Sequence, residues 1–148
     1  MAYITQQDLE EAVGGLKKLV QLTDDGGTGE VDTTVVNKAI AYAQGLLESH
    51  VRTRYTLPVP ATEMIKGLCV DLAVFKIRRR REIRGDAYEG AEKAHDAAIK
   101  LLEKIGAGKA ALDVPAAEET ATNPASADEV LSGPSRPSPF SDDKLRGF

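Results

Sequence analysis

The segment from Thr62 to Arg81 constrains the fold more than any other part of the chain. Apolar residues occupy most positions between Met64 and Ile77, and at helical spacing they surround the helix instead of forming one stripe. Such a helix has to be covered on most of its faces, so we expect it at the centre of a group of other helices. No stretch alternates in hydropathy for long enough to form a sheet. The predicted fold class is therefore all-α, a small helical bundle.

Other segments have the apolar periodicity of helices that could cover this central one. Thr5 and Asp8 have the spacing of a capping box at the start of the first helix. Asp32 or Thr33 can cap a long helix, which should stop before Pro58 because a residue that precedes proline is pushed out of the helical region. The predicted bounds of the four covering helices are 5–15, 16–22, 32–54 and 86–106.

Charge and proline divide the chain into two parts. Residues 1–112 contain 16 Lys/Arg and 16 Asp/Glu, whereas residues 113–148 contain 3 Lys/Arg, 7 Asp/Glu and five of the seven prolines. This composition predicts a helical bundle over 1–112, followed by an extended C-terminal arm. Within the arm we expect a flexible, acidic, proline-containing linker over 113–139 and a docking motif over 140–148.

The docking motif is predicted from its own residues. Ser141 suits a helix N-cap, and Phe140 and Leu145 have the spacing of a hydrophobic staple. Aromatic anchors dominate the energetics of protein interfaces. The predicted docking residues are Phe140, Leu145, Arg146 and Phe148.

A run of cations ends the central helix. Cations near a helix C-terminus favour the helix dipole, and they can also contact an acidic partner protein or the phosphates of DNA. We favour a structural or protein-contact role, because no aromatic residues are interleaved and residues 1–112 are neutral overall. A small helical DNA-binding protein remains the alternative. The candidate residues are Lys76, Arg78, Arg79, Arg80 and Arg81.

Asp71 is a carboxylate within the most apolar helix, where an unpaired charge is costly. Arg52 and Arg54, at the end of the preceding helix, are the predicted partners in a structural ion pair. A catalytic carboxylate would require a second titratable group and a pocket, and the sequence indicates neither. No nucleophile elbow, P-loop or dinucleotide motif occurs, so we expect no enzyme and no cofactor.

The acidic, glycine-rich stretch from Asp24 to Asp32 partly matches a calcium loop. Its position 12, where a bidentate glutamate belongs, falls on Val35. We therefore expect a turn in which Asp32 caps the next helix, and no metal site. We favour this structural turn over a Ca²⁺-dependent module that uses Asp24, Glu30 and Asp32. The single cysteine, Cys69, is predicted to be a small buried side chain.

Three stretches together resemble a known family: Leu22-Thr23-Asp24 with the glycine-rich turn and Val31-Asp32, then Arg52-Thr-Arg-Tyr-Thr-Leu-Pro58, then Phe140-Ser-Asp-Asp-Lys-Leu-Arg-Gly-Phe148. They resemble the head–tail connector, or adaptor, proteins of Mu-like bacteriophages, over residues 3–112 and the last nine. The resemblance implies an α-helical protein in the neck of the virion, synthesised in the host cytoplasm. It also implies a homo-oligomeric ring, commonly of twelve copies, beneath the portal protein.

The same resemblance implies further partners. The ring would contact the next neck protein, a stopper or tail terminator, and genomic DNA would pass through its channel. No membrane role is expected, because no apolar run has the length of a membrane span.

Overall fold

A computed structural model describes residues 2–81 and 84–115, which belong to one compact unit, Met1–Ala116. These residues form five α-helices and contain no strand, so the predicted all-α class is confirmed. The helices are α1 (Gln6–Val13), α2 (Leu16–Thr23), α3 (Thr33–Val51), α4 (Glu63–Arg81) and α5 (Asp86–Gly106). The predicted arm and its division at residues 113, 139 and 140 stay predictions.

Helix α4 is the centre of the bundle, as its composition predicts. It packs against each of the other four helices. Eight of its apolar side chains are buried, and Ile65, Leu72 and Ile77 are fully enclosed. The burial of each such side chain stabilises the fold by about 1.5–3 kcal/mol, which makes α4 the main source of hydrophobic stabilisation.

Helices α3 and α5 cover α4 from two sides. The buried side chains of α3 are Val36, Ala39, Ala43, Leu47 and Val51, and Ile40 is half-buried. Helix α3 ends at Val51 and not near Arg54, because residues 52–54 form a turn instead. The buried side chains of α5 are Tyr88, Ala91, Ala98, Leu102 and Ile105.

Local caps set the helix starts where the sequence predicts them. The Thr5 side chain accepts a hydrogen bond from the Asp8 amide, and the Asp8 carboxylate accepts one from the Thr5 amide at 2.7 Å. Gly14 ends α1 in the left-handed region, with φ of 104°, which favours glycine. Asp32 caps α3 by accepting hydrogen bonds from the amides of Thr34 and Val35.

The chain after α5 is bound to the loop between α3 and α4. The Leu112 amide donates to the hydroxyl of the buried Tyr55 at 2.9 Å. The Thr62 hydroxyl donates to the Asp113 carboxylate at 2.6 Å. The last described residues are therefore held against the bundle by side chains that lie more than 50 positions earlier in the sequence.

Candidate interaction surface

The last two cations of α4 bind the turn between α2 and α3. Arg81 donates from Nε to the Leu22 carbonyl at 3.2 Å and from Nη2 to the Asp24 carbonyl at 2.9 Å. Arg80 also donates to the Leu22 carbonyl, at 3.0 Å. These carbonyls lie at the C-terminal end of α2, where a helix leaves its acceptors without partners. The two guanidinium groups supply the missing donors.

The same two arginines form ion pairs with Asp25. The Arg80 guanidinium is hydrogen-bonded to the Asp25 carboxylate, and the Arg81 guanidinium lies 3.3 Å from it. The cation run and the acidic turn are thus partners of each other. Sequence reasoning treated them as two separate motifs, because 55 positions separate Asp25 from Arg80.

Two further carboxylates of the turn, those of Asp24 and Asp32, accept hydrogen bonds from backbone amides. The Asp24 carboxylate accepts hydrogen bonds from the Thr28 amide at 3.0 Å and the Gly29 amide at 2.7 Å. These amides, Thr28 first, lower the pKa of Asp24 below its ordinary value. With Asp32 occupied as the cap of α3, the predicted structural turn is confirmed. In the part of the chain that is described, no three metal-binding side chains are grouped together.

Other cations of the run line a groove between α3 and α4, which we call the basic groove. Its volume is about 460 Å³. Its lining residues are Val35, Lys38, Ala39, Lys76, Ile77, Arg79 and Arg80. Val35 is half-buried and forms an apolar floor above the fully buried Ala39 and Ile77, whereas the exposed charged side chains stand at the rim. The start of α3 meets the end of α4 here, so the two helices are antiparallel.

The rim of the basic groove differs from the predicted cation cluster. Lys38, on α3, was not predicted, because nothing in its local sequence marks it as a neighbour of α4. The Lys76 ammonium lies 4.9 Å from the centre of the Tyr42 ring, a cation–π contact that orients this side chain. Lys38, Lys76 and Arg79 are exposed. The groove therefore presents positive charge to solvent above an apolar surface.

Arg78 does not line the basic groove, although it shares another cavity with Arg81. It is half-buried and lines a cavity of about 240 Å³ together with Asp71 and small residues of α5. The five predicted cations therefore do not form one continuous patch. They divide among the turn, the basic groove and this second cavity.

The predicted ion pair of Asp71 with Arg52 and Arg54 does not form. Arg54 donates instead to the carbonyls of Ile105 at 3.0 Å and Ala110 at 3.1 Å. It lies at the end of α3, whereas Asp71 is eight residues into α4, about 12 Å along the helix axis. Partial burial raises the pKa of Asp71, and no salt bridge involves Asp71 or Arg52 among residues 2–81 and 84–115.

An aromatic cluster joins the three long helices beside the basic groove. The Tyr42 hydroxyl lies 3.1 Å from Nε2 of His95, and the His95 ring centre lies 4.3 Å from that of Phe75. Phe75 also packs against Tyr88 with ring centres 5.8 Å apart. Sequence reasoning missed this cluster; the seven-residue spacing of Tyr88 and His95 on α5 was the available signal.

The remaining predicted residues are Cys69 and the four residues of the docking motif. Cys69 is buried, as predicted, and burial raises the pKa of its thiol to about 12, which leaves the thiol protonated at neutral pH. Phe140, Leu145, Arg146 and Phe148 lie outside the described residues, so their docking role stays a prediction. Leu16, at the start of α2, is 54% exposed. No helix in the described ranges is long and apolar enough to span a bilayer.

Comparison with protein families gives a match over most of the chain. The family model described as bacteriophage Mu, Gp36 matches residues 3–130. No curated protein matches the chain. The family match runs past the helical bundle and through most of the predicted linker, and it leaves out the last nine residues. The resemblance based on sequence motifs had instead included those nine and left out the linker.

Proposed function

From the premise that the chain belongs to the bacteriophage Mu Gp36 family, we propose that it is a head–tail adaptor of a phage neck. Membership in this family indicates a structural or morphogenesis protein of a phage, a component of the virion and not an enzyme. The adaptor role is the finer statement. It is supported by the family match over most of the chain together with the resemblance of three sequence stretches to head–tail adaptors.

The proposed adaptor acts as a homo-oligomeric ring beneath the portal protein. Twelve copies are expected from the resemblance of the sequence motifs. A ring repeats each weak contact many times, so an exposed charged groove on one subunit contributes far more to the assembly than it would alone. The compact helical unit supports this role, because its packing around α4 gives every subunit the same defined surface for contacts with its neighbours.

The proposed partners follow from the position in the neck. The portal protein lies on one side of the ring, the stopper or tail terminator lies on the other, and genomic DNA passes through the channel. The predicted docking motif, residues 140–148, would hold either the portal or a neighbouring subunit. The acidic composition of residues 113–148 suits contact with basic protein surfaces more than contact with DNA.

Electron microscopy of lysates from a phage without this gene tests the proposal. We expect filled or leaking heads beside free tails, with joined particles restored by the intact gene supplied in trans. In a second experiment, the gene supplied in trans encodes the chain truncated after residue 115, and we expect that it does not restore the joining of heads to tails. Intact tailed particles in the deletion lysate would contradict the adaptor role.

The second candidate is a DNA-binding protein, which the exposed cations of the basic groove favour. In the structure Arg80 and Arg81 are bound to the α2–α3 turn, so Lys38, Lys76 and Arg79 would have to supply the phosphate contacts. This candidate predicts retention of duplex DNA that weakens steeply with salt and with Lys38→Ala/Arg79→Ala. No retention at low salt would remove it.

A further inference from the structure

The basic groove combines two chemical features that define what it can hold. The half-buried Val35 gives it an apolar floor, and Lys38, Lys76 and Arg79 surround that floor with exposed positive charge. The volume of about 460 Å³ is enough for a few side chains and not for a folded element. The fitting ligand is an extended peptide with carboxylates beside apolar side chains.

One segment of this chain has that chemistry. Between Lys109 and Arg136 there is no Lys or Arg, and the five charged side chains are all carboxylates. Asp128 and Glu129 are followed at once by Val130 and Leu131. An acidic pair beside an apolar pair matches a basic rim beside an apolar floor, and such matching charges give an interface its specificity.

We propose that the basic groove of one copy binds the acidic segment 118–131 of a neighbouring copy. The proposal rests on the proposed function in one respect: the ring places copies side by side. The family match ends at residue 130, so Asp128 and Glu129 fall within the region that the family model covers. Twelve residues lie between Pro115 and Asp128, so this stretch of chain can span at most about 45 Å.

A peptide fits the groove better than a nucleic acid does. Phosphates would be neutralised by the rim and would gain nothing from the apolar floor at Val35, whereas an apolar side chain of a peptide can pack against it. Residues 1–112 carry equal numbers of positive and negative side chains, so the groove lacks the wider positive field that DNA-binding surfaces usually have. Part of the charge of Arg80 is also matched by Asp25.

Zero-length carbodiimide cross-linking of the full-length chain tests the proposal directly, because it joins lysines to carboxylates that are in contact. An equal mixture of ¹⁴N- and ¹⁵N-labelled copies distinguishes links between copies from links within one. We expect mixed-isotope links from Lys38 or Lys76 to the carboxylates of 118–129. Only same-isotope links, or none from these lysines, would overturn the proposal.

Charge reversal supplies the matched variants. Lys38→Glu/Arg79→Glu reverses the rim and Asp128→Lys/Glu129→Lys reverses the segment, while Lys93→Glu/Lys100→Glu is a control on exposed positions of α5. Helical circular dichroism and thermal unfolding first check that each variant is folded. We expect each of the first two to weaken self-association in sedimentation at least tenfold, the control to leave it unchanged, and the combined four-residue swap to restore it.

The remaining outcomes each decide against the proposal. The proposal would be overturned if the full-length chain did not self-associate, if the control variant lost self-association equally, or if the four-residue swap did not restore it. Retention of duplex DNA that is abolished by the rim reversal and unchanged by the segment reversal would also overturn it, because the groove would then bind nucleic acid. The gene-deletion experiment is independent: heads and tails that fail to join would support the adaptor even if segment 118–131 binds elsewhere.

Discussion

A β-carbon on Gly106 would lie 2.7 Å from the carbonyl oxygen of His50, closer than real side chains approach backbone. The C-terminal half of α5 therefore packs directly on the backbone of α3. Because backbone cannot move aside as a side chain can, we expect Gly106→Ala to destabilise the fold by about 1–3 kcal/mol. Urea unfolding followed by circular dichroism measures this change.

The matched control for that substitution is Gly45→Ala. Gly45 lies within α3, and a β-carbon there would meet nothing within 4 Å. Alanine is favoured over glycine in a helix, so we expect a gain of about 0.5–1 kcal/mol. A loss at both positions, or at neither, would contradict the close approach of α5 to α3.

Removal of the Arg81 side chain should loosen the turn between α2 and α3. Arg81→Ala leaves the carbonyls of Leu22 and Asp24 without this donor, at a cost of about 1–3 kcal/mol. Arg79→Ala removes an exposed cation of the same run, and we expect it to change stability by less than about 0.5 kcal/mol. Hydrogen exchange of the amides over 24–32 is the second readout, and it should rise only in Arg81→Ala.

The Asp24 carboxylate makes the turn sensitive to acid. Its folded-state pKa is lowered below 3.8 by the amides of Thr28 and Gly29, so its stabilising effect is present above the unfolded-state pKa and is lost as pH falls through the folded-state pKa. We expect Asp24→Asn to be less stable than the wild type at pH 6. That difference should shrink below about pH 4. Equal differences at pH 6 and pH 3 would contradict the assignment.

Loss of the Tyr55 hydroxyl should release the chain after α5. Tyr55→Phe leaves the Leu112 amide without its acceptor, at a cost of about 1 kcal/mol. Exchange of that amide, followed by NMR, should accelerate while amides within α4 keep their relative protection. Unchanged exchange at Leu112 would show that another acceptor replaces the hydroxyl.

Features encoded by near neighbours could be predicted from the sequence. Thr5 and Asp8 form the expected capping box, and Asp32 caps α3. The apolar composition of Thr62–Arg81 correctly indicated the central helix, since the surroundings of such a segment follow from its own residues. These features depend on spacing within one helix turn or one segment.

Contacts between distant segments could not be predicted in the same way. The pairing of Asp25 with Arg80 depends on how the end of α2 meets the end of α4, and no local pattern records that meeting. The same limit explains why the predicted ion pair of Asp71 does not form. The apolar residues around Asp71 in the sequence predict a nearby cation, but the length and direction of the helices place Arg54 against the end of α5. The position of Lys38 at the basic groove could not be predicted either, because it depends on how α3 packs against α4.

Three hydrogen bonds tie residues 110–113 to Arg54, Tyr55 and Thr62. The chain beyond therefore starts from one defined point on the surface of every subunit. In a ring of identical subunits, the distance from that origin to the groove of the next copy becomes a constant of the assembly. For the proposed contact between copies, the number of residues between 115 and 128 sets how often the segment reaches the groove, so insertion or deletion there would change the strength of the proposed ring without altering a single contact.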